Sequence, residues 1–250
     1  IPDVSYATVN VNQKYDIYLP GGRSLQNTPV LFITNGGGWG SGSRKEYDPN
    51  IWKNFFPGTA IVSIGYRFAP AYSFPAQEND IKACVEYVMS KREEYQISDK
   101  IGFFGASAGA HLSMLYAYKH GPDSGYDIKM VANWWGPGNM SSIFNQANAI
   151  YTPGFTQAIG GTPATKPQLC YDSSPVNFVS ADSPPTLMIY GGADDLVPAA
   201  QGNELDAKLS LTGVYHEYTI YPDMGHGPDN EPLALQIMND TFEFINSYLQ

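Results

Sequence analysis

The feature that most constrains the fold is an apolar run, Ile101 to Phe104, that enters the turn Gly105-Ala-Ser107-Ala-Gly109 and is followed at once by a helical pattern. A Gly-x-Ser-x-Gly turn between a strand and a helix lifts the serine hydroxyl above the end of a sheet, where it can act as a nucleophile. The glycines permit strained backbone angles and close strand–helix approach. A chain with 25 glycines in 250 residues can contain this pattern by chance. The assignment of a nucleophile therefore depends on finding a base, an acid and charge-stabilising amides elsewhere in the chain.

On both sides of this turn the chain alternates between short apolar runs and amphipathic segments. Strands are predicted at 6–11, 14–19, 30–34, 59–65, from 101, at 130–135, 186–190 and 216–221. Helices are predicted at 75–95, 107–120, 199–211 and 231–248. Repeated strand–helix units indicate one α/β domain over residues 1–250, with a mainly parallel central sheet flanked by helices. The first two strands are expected to form an antiparallel edge.

Residues 136–184 interrupt this alternation and are rich in Gly, Pro, Ser and Asn. Only short helical turns are predicted there, near 141–148 and 155–159. A long irregular insertion in a compact domain is usually functional, so we expect it to cover the active site. Trp134, Trp135, Tyr151 and Phe155 are candidate walls of that site, although they could equally serve only to pack the insertion.

Charge and composition narrow the classes of partner. The formal net charge of −10 argues against nucleic acid and against anionic membrane surfaces, since both would repel the chain. No apolar run approaches the roughly 18 residues of a membrane-spanning helix. Cys84 and Cys170 cannot make a disulfide framework or a metal site, although a single bridge between them stays open.

The chain begins at Ile1-Pro2 without an initiator Met. A mature form after removal of a signal peptide would begin in this way, and so would a trimmed chain. The low charge content and the many Tyr, Asn and Gly residues favour an exported bacterial protein, secreted or periplasmic, without excluding the cytoplasm. Aromatic residues make up 14% of the chain, which suits recognition of a sugar or an aryl group, although most of them are expected to pack in the core.

A serine nucleophile needs a histidine as its base, and the chain has four. His111 lies one turn along the helix that Ser107 opens, His120 ends that helix, and His216 begins a strand. Each of these three positions is poorly placed to face the serine hydroxyl. His226 is flanked by glycines in a loop just after a predicted strand, and it is therefore the predicted base.

The acid that orients the base is expected at the end of the preceding strand. Asp194 and Asp195 both follow the apolar run 186–190. Either could instead complement the dipole of the helix that follows. The residues alone leave the choice between them open.

Stabilisation of a developing oxyanion requires backbone N–H groups, one of them from the residue after the nucleophile, which is Ala108. A second is expected from a glycine-rich loop after an earlier strand, and Gly36-Gly37-Gly38 forms such a loop. Without Cβ atoms, the amides of this loop can face a ligand.

Taken together, these segments resemble α/β-hydrolase-fold esterases of the hormone-sensitive-lipase-like branch, closest to bacterial acetylxylan and feruloyl-type carboxylesterases. The shared motifs extend over nearly the whole chain: 15–20, 36–39, 66–70, 74–77 with Asp80, 105–109, 174–175, 184–186, 194–198 and 225–227. The order of glycine loop, Ser, Asp and His also matches this fold.

The resemblance implies that the first aspartate of Asp-x-x-Val-Pro is catalytic, which selects Asp194. It also implies oxyanion donors at Gly37, Gly38 and Ala108, and it suggests that Trp39 lines the acyl side. The chain departs from the family at Asn35, where a histidine is usual. An asparagine can still hydrogen-bond the backbone and hold the loop.

The expected activity is that of a serine carboxylesterase that cleaves short acyl esters, with acetyl or feruloyl groups on plant polysaccharide as candidates. Its substrate would be a small ester or an acylated carbohydrate, and no metal or cofactor is called for. Three alternatives stay open: a formamidase or exopeptidase-like amide hydrolase, a non-catalytic binding protein of hydrolase descent, and, less favoured, a long-chain lipase. The sequence does not indicate an oligomeric state.

Overall fold

A single eight-stranded sheet forms the centre of the computed structural model, which describes residues 1–249. Its strands are β1 (Val4–Ser5), β2 (Lys14–Tyr18), β3 (Val30–Thr34), β4 (Ala60–Ile64), β5 (Lys100–Ala106), β6 (Asp127–Trp134), β7 (Thr186–Gly191) and β8 (His216–Tyr221). They lie in the order β1-β2-β4-β3-β5-β6-β7-β8. All pairs from β4 to β8 are parallel, whereas β1 and β2 form an antiparallel edge. The predicted α/β-hydrolase architecture is confirmed.

Helices surround this sheet, and several of them cover its faces, which accounts for the continuous apolar character of its central strands. They are α1 (Pro49–Trp52), α2 (Ala76–Ser90), α3 (Arg92–Tyr95), α4 (Ala108–Leu115), α5 (Ile143–Gln146), α6 (Thr152–Ile159), α7 (Pro167–Asp172), α8 (Ala200–Thr212) and α9 (Glu231–Leu249). Every residue of β3, β4 and β7 is buried, as expected for parallel strands covered on both faces. Within residues 1–249, no helix combines the length and the apolar character that crossing a membrane requires.

The strand predicted at residues 6–11 is wrong. The structure has only the two-residue β1 before this segment, which then turns, and the side chain of Gln13 explains the turn. Its Oε1 accepts hydrogen bonds from the amides of Val9 (3.0 Å) and Asn10 (2.9 Å). This local bonding replaces a strand ladder, and Val9 and Val11 are left largely exposed.

The insertion at residues 136–184 contains short helices rather than irregular chain alone. The turns predicted near 141–148 and 155–159 correspond to α5 and α6, and α7 follows them. Backbone bonds attach the insertion to the rest of the chain, for example from the amide of Phe74 to the carbonyl of Ala158 (2.7 Å). Cys84 in α2 and Cys170 in α7 are both buried and free, so the bridge left open by the sequence does not form.

Candidate active site

The serine turn at the end of β5 is held in a strained backbone conformation. Ser107 has φ 53° and ψ −123°, a region that residues other than glycine rarely occupy, and α4 begins at the next residue. A Cβ added at Gly109 would lie 2.0 Å from the carbonyl oxygen of Thr34 at the end of β3. Only glycine therefore allows α4 to approach the sheet closely enough to form this turn.

The structure brings the side chains of Ser107, His226 and Asp194 together. The Ser107 Oγ lies 2.9 Å from Nε2 of His226, and the His226 Nδ1 lies 2.7 Å from Oδ2 of Asp194. Because a carboxylate only accepts hydrogen bonds, Nδ1 carries the proton, and Nε2 of the neutral ring accepts from the serine hydroxyl. The imidazole is thus oriented to receive the serine proton.

The loops that carry the acid and the base are attached to each other. Asp194 follows β7 and His226 follows β8, and the amide of Ala193 donates to the carbonyl of Met224 (3.0 Å). The Asp194 side chain is fully buried, and its Oδ1 accepts from the amides of Leu196 and Val197, both at 2.9 Å. These bonds satisfy the second carboxylate oxygen and fix the direction in which the first faces His226.

Asp195 faces away from this arrangement. Its carboxylate is exposed, and it accepts from the hydroxyl of Tyr151 (3.3 Å) and from Nδ2 of Asn148 (3.3 Å). The two aspartates that the residues alone could not separate therefore have different surroundings: one meets His226 and the other meets the insertion.

The glycine loop after β3 places free amides beside the serine. Gly37 and Gly38 have φ values of 104° and 58°, and a Cβ at Gly37 would lie 2.3 Å from the carbonyl oxygen of Ser41. Ala108 is the first residue of α4, so its N–H has no partner inside the helix. Within residues 1–249, the amides of Gly37, Gly38 and Ala108 donate no hydrogen bond.

Asn35 occupies the position at which the family usually has a histidine. It is buried, and its Nδ2 donates to the carbonyl of Gly36 at 2.8 Å, which supports the start of the glycine loop. Its Oδ1 is buried without a hydrogen-bond partner in the described part of the chain. The backbone contact expected of an asparagine is therefore present on one side of the amide only.

A cavity of about 270 Å³ opens beside Ser107. Its lining is mainly apolar and comes from the glycine loop, the insertion and the loop after β7: Gly38, Trp39, Ser107, Ile150, Tyr151, Gly154, Phe155, Leu196 and Val197. Trp39, Tyr151 and Phe155 are among the walls expected from the sequence. Leu196 and Val197 were missed, although their position directly after Asp194 could have indicated them.

Trp134 and Trp135, also expected as walls, do not line this cavity. Trp134 ends β6 and donates from Nε1 to Oγ1 of Thr241 in α9 (2.8 Å), which holds its ring against that helix. Trp135 stacks on Trp134 and lies beside the His226 ring, with centroids 6.3 Å apart. Trp134 therefore packs against α9, and Trp135 packs beside the base.

The remaining histidines lie apart from the serine hydroxyl. His120 contacts Glu78 (2.7 Å), and His216, the first residue of β8, contacts Asp206 (3.0 Å). His111 is buried between Trp39 and the insertion, and burial lowers its pKa to about 4. None of the three bonds to Ser107 through its ring.

Comparisons with known proteins bear on the family and the fold of the chain. The sequence matches the BD-FAE family over residues 15–209. It is 28% identical over 211 residues to "Probable carboxylic ester hydrolase LipM" of Mycobacterium tuberculosis, covering 80% of this chain and 49% of that protein. Esterase LipQ of the same organism is 27% identical over 221 residues, covering 84% of this chain and 52% of its own length. The chain thus spans about half the length of these relatives.

Among solved structures, the chain is similar to a truncated form of a carbohydrate esterase from gut microbiota. The TM-score is 0.79 at 26% identity, covering 97% of this chain and 94% of the other. Esterase B from Lactobacillus rhamnosis has the same fold, with a TM-score of 0.75 at 19% identity, covering 98% and 85%. Because the family match extends over most of its length, the chain belongs to the BD-FAE family, and the resemblance drawn from its sequence is confirmed.

Proposed function

We propose that this chain is a serine esterase that cleaves short acyl esters, with Ser107 as nucleophile, His226 as general base and Asp194 as the residue that orients it. The observation that carries the proposal is the continuous hydrogen-bonded path from the Ser107 hydroxyl through His226 to buried Asp194. A binding protein without catalysis would not need a strained serine aligned with an oriented imidazole.

In the first half of the reaction, His226 takes the Ser107 proton while Oγ attacks the ester carbonyl carbon. The negative charge on the former carbonyl oxygen is stabilised by the amides of Gly37, Gly38 and Ala108. When the tetrahedral intermediate collapses, the carbon–oxygen bond to the alcohol breaks. The proton held by His226 passes to the departing alkoxide, and the acyl group stays on Ser107.

In the second half, water attacks the acyl-enzyme carbonyl and gives its proton to His226. The acid then leaves, and Ser107 recovers its proton from the imidazole. The Asp194 carboxylate stabilises the imidazolium each time it forms. The side chains of this chain supply every proton transfer that acyl transfer needs.

The size and lining of the cavity beside Ser107 favour a small or flat acyl group. Its volume of about 270 Å³ and its aromatic walls suit acetyl to butyryl chains or an aryl acid such as ferulate. The similarity to a carbohydrate esterase from gut microbiota supports an acylated carbohydrate as the substrate. One relative favours an amide as a second candidate: arylacetamide deacetylase of Bos taurus is 30% identical over 120 residues, covering 46% of this chain and 30% of that protein.

The test is hydrolysis of p-nitrophenyl esters from acetate to octanoate, beside feruloyl esters, acetylated xylan and an acetanilide. We expect highest kcat/KM at short chains and loss of nearly all turnover in Ser107→Ala, with an unchanged circular dichroism spectrum. Labelling of wild type, but not of Ser107→Ala, by a fluorophosphonate would identify the nucleophile. Turnover retained by folded Ser107→Ala would overturn the assignment.

A further inference from the structure

Trp39, one of the walls of the cavity, has an unfavourable backbone conformation. It lines the cavity next to Ser107, yet its φ is 60°, in the left-handed region that a tryptophan rarely adopts. Such a conformation is unfavourable by itself, so contacts made by Trp39 must stabilise it. The Trp39 residue is only 5% exposed, which means that those contacts are made inside the protein.

The polar contact of the Trp39 ring is with His111. Its indole Nε1 lies 3.1 Å from Nδ1 of His111, and the two rings meet edge to face with centroids 5.3 Å apart. Phe155 of the insertion also packs against this ring, with centroids 6.4 Å apart. The Trp39 ring therefore contacts both α4 and α6.

His111 in turn is bonded to the insertion. Its Nε2 lies 2.6 Å from the carbonyl oxygen of Ser173, which directly follows α7. An indole N–H can only donate and a carbonyl can only accept, so Nδ1 is the acceptor and Nε2–H the donor. Burial lowers the pKa of His111 to about 4, which keeps the ring neutral and suited to this pairing near neutral pH.

We propose that His111 is a positioning residue for the acyl cavity: its imidazole ties the Trp39 indole to the Ser173 carbonyl and so fixes the wall beside Ser107. His111 lies one helical turn after Ser107, and its amide donates to the Ser107 carbonyl (3.0 Å). The nucleophile helix, the glycine loop and the insertion thus meet at one side chain. The role of Trp39 in selecting among acyl groups rests on the proposed esterase function.

Three substitutions and one control separate the polar link from simple packing. His111→Leu removes both bonds and leaves the indole N–H and the Ser173 carbonyl unpaired, whereas His111→Asn keeps an acceptor near the position of Nδ1. Trp39→Phe keeps an aromatic wall without the N–H. His216→Asn is the matched control, since it alters a histidine outside the cavity.

The link itself is tested without turnover, through the indole N–H signals in 1H–15N correlation spectra. Loss of the Trp39 signal in Trp39→Phe assigns it. We expect His111→Leu to move this signal upfield, His111→Asn to move it less, and His216→Asn to leave it in place. An unmoved Trp39 signal in His111→Leu would overturn the proposal. If His111→Leu does not fold, His111→Ala, which also removes the acceptor, takes its place, and an unmoved Trp39 signal there would overturn the proposal in the same way.

The effect on selectivity is tested by kcat/KM for p-nitrophenyl acetate and butyrate. We expect His111→Leu to change the butyrate-to-acetate ratio about tenfold, mainly through KM, as loss of a buried hydrogen bond implies. His111→Asn should restore much of the ratio, and in the Trp39→Phe background the substitutions at His111 should add nothing. An equal loss on both esters, or additive effects in the double variants, would contradict a role exerted through Trp39. If the wild-type protein does not hydrolyse esters, the proposed function is overturned instead. The spectra would still test the hydrogen bond between His111 and Trp39.

Discussion

At the scale of single residues, burial distinguishes side chains that are alike in the sequence. Asp194 and Asp195 are adjacent after β7, yet one carboxylate is enclosed by two amides and His226, while the other is exposed at the insertion. The four histidines differ in the same way, since only His226 reaches the serine hydroxyl. The chemistry available to each of these side chains follows from its contacts.

The two aspartates give a matched pair of variants. We expect Asp194→Asn to lower kcat about 10⁴-fold, because an amide favours the wrong tautomer of His226. Asp195→Asn should stay within about threefold of wild type, since its side chain can still accept from Tyr151. Steady-state kinetics with p-nitrophenyl acetate measures both, and equal losses in the two variants would contradict the assignment of the acid.

His111 should make the stability of the protein depend on pH. Burial is the main cause that lowers the pKa of His111 from 6.5 to about 4. The hydrogen bond to the Ser173 carbonyl and the charge of Glu78 raise this pKa in part, whereas the charge of Lys119 lowers it further. Between pH 6.5 and 4 the unfolded chain therefore binds the proton more readily than the folded one. The free energy of unfolding should fall as pH falls through this window, by about 3 kcal/mol from this residue.

Urea unfolding of wild type and His111→Asn at pH 7, 5.5 and 4 measures this contribution. Other groups titrate in both proteins, so the difference between the two slopes isolates His111. The wild type should lose more stability than the variant on acidification. Parallel pH profiles would show that His111 does not titrate abnormally.

At the scale of secondary-structure elements, the site depends on how closely α4 approaches the sheet. Gly105 and Gly109 face each other across the serine turn: a Cβ at Gly105 would lie 2.4 Å from the backbone of Gly109. The glycine loop after β3 lies on the same edge, as the carboxyl ends of parallel strands require. The glycine loop and the loops that carry Asp194 and His226 therefore meet around the serine turn.

Two glycine substitutions test this close packing. Gly109→Ala should destabilise the fold by about 3 kcal/mol, because its Cβ would meet the Thr34 carbonyl, which cannot move without β3. Gly154→Ala, near the start of α6, meets no atom within 4 Å and should stabilise by about 0.5–1 kcal/mol. Thermal unfolding compares them, and a Gly109→Ala protein as stable as wild type would refute the packing argument.

At the scale of the whole molecule, one buried carboxylate joins distant parts of the chain. Asp80 in α2 is 1% exposed, and it accepts from Nε2 of Gln13 (2.8 Å) and from Nε and Nη2 of Arg67 (2.9 and 2.8 Å). It therefore connects the N-terminal turn, the loop after β4 and a helix over the sheet. Removing it would leave a guanidinium without its partner.

Asp80→Ala should lower the free energy of unfolding by about 3–5 kcal/mol, as expected when one member of a buried ion pair is removed. Lys82→Ala on the same helix is the control. Lys82 forms an exposed pair with Glu86 (2.5 Å), and its loss should cost less than about 1 kcal/mol. Denaturant unfolding measures both, and similar costs would contradict the importance of the buried network.

The sequence by itself determined the order of strands and helices, the serine turn and the loop positions of the base and the acid. These features depend on local patterns: apolar runs, helical periodicity and glycines next to particular residues. Its one failed strand, at residues 6–11, shows the limit of such patterns. There the side chain of Gln13 accepts hydrogen bonds from backbone amides that would pair with a neighbouring strand in a sheet.

Only the tertiary structure decided which side chains form the cavity. From the sequence we expected five aromatic residues to line the site: Trp39, Trp134, Trp135, Tyr151 and Phe155. Contacts with residues distant in sequence decide which of them do so. Thr241 draws Trp134 toward α9, whereas His111 holds Trp39 beside the serine. The direction of an aromatic ring depends on which partner its single N–H can reach, and such partners lie 72 and 107 residues away in sequence.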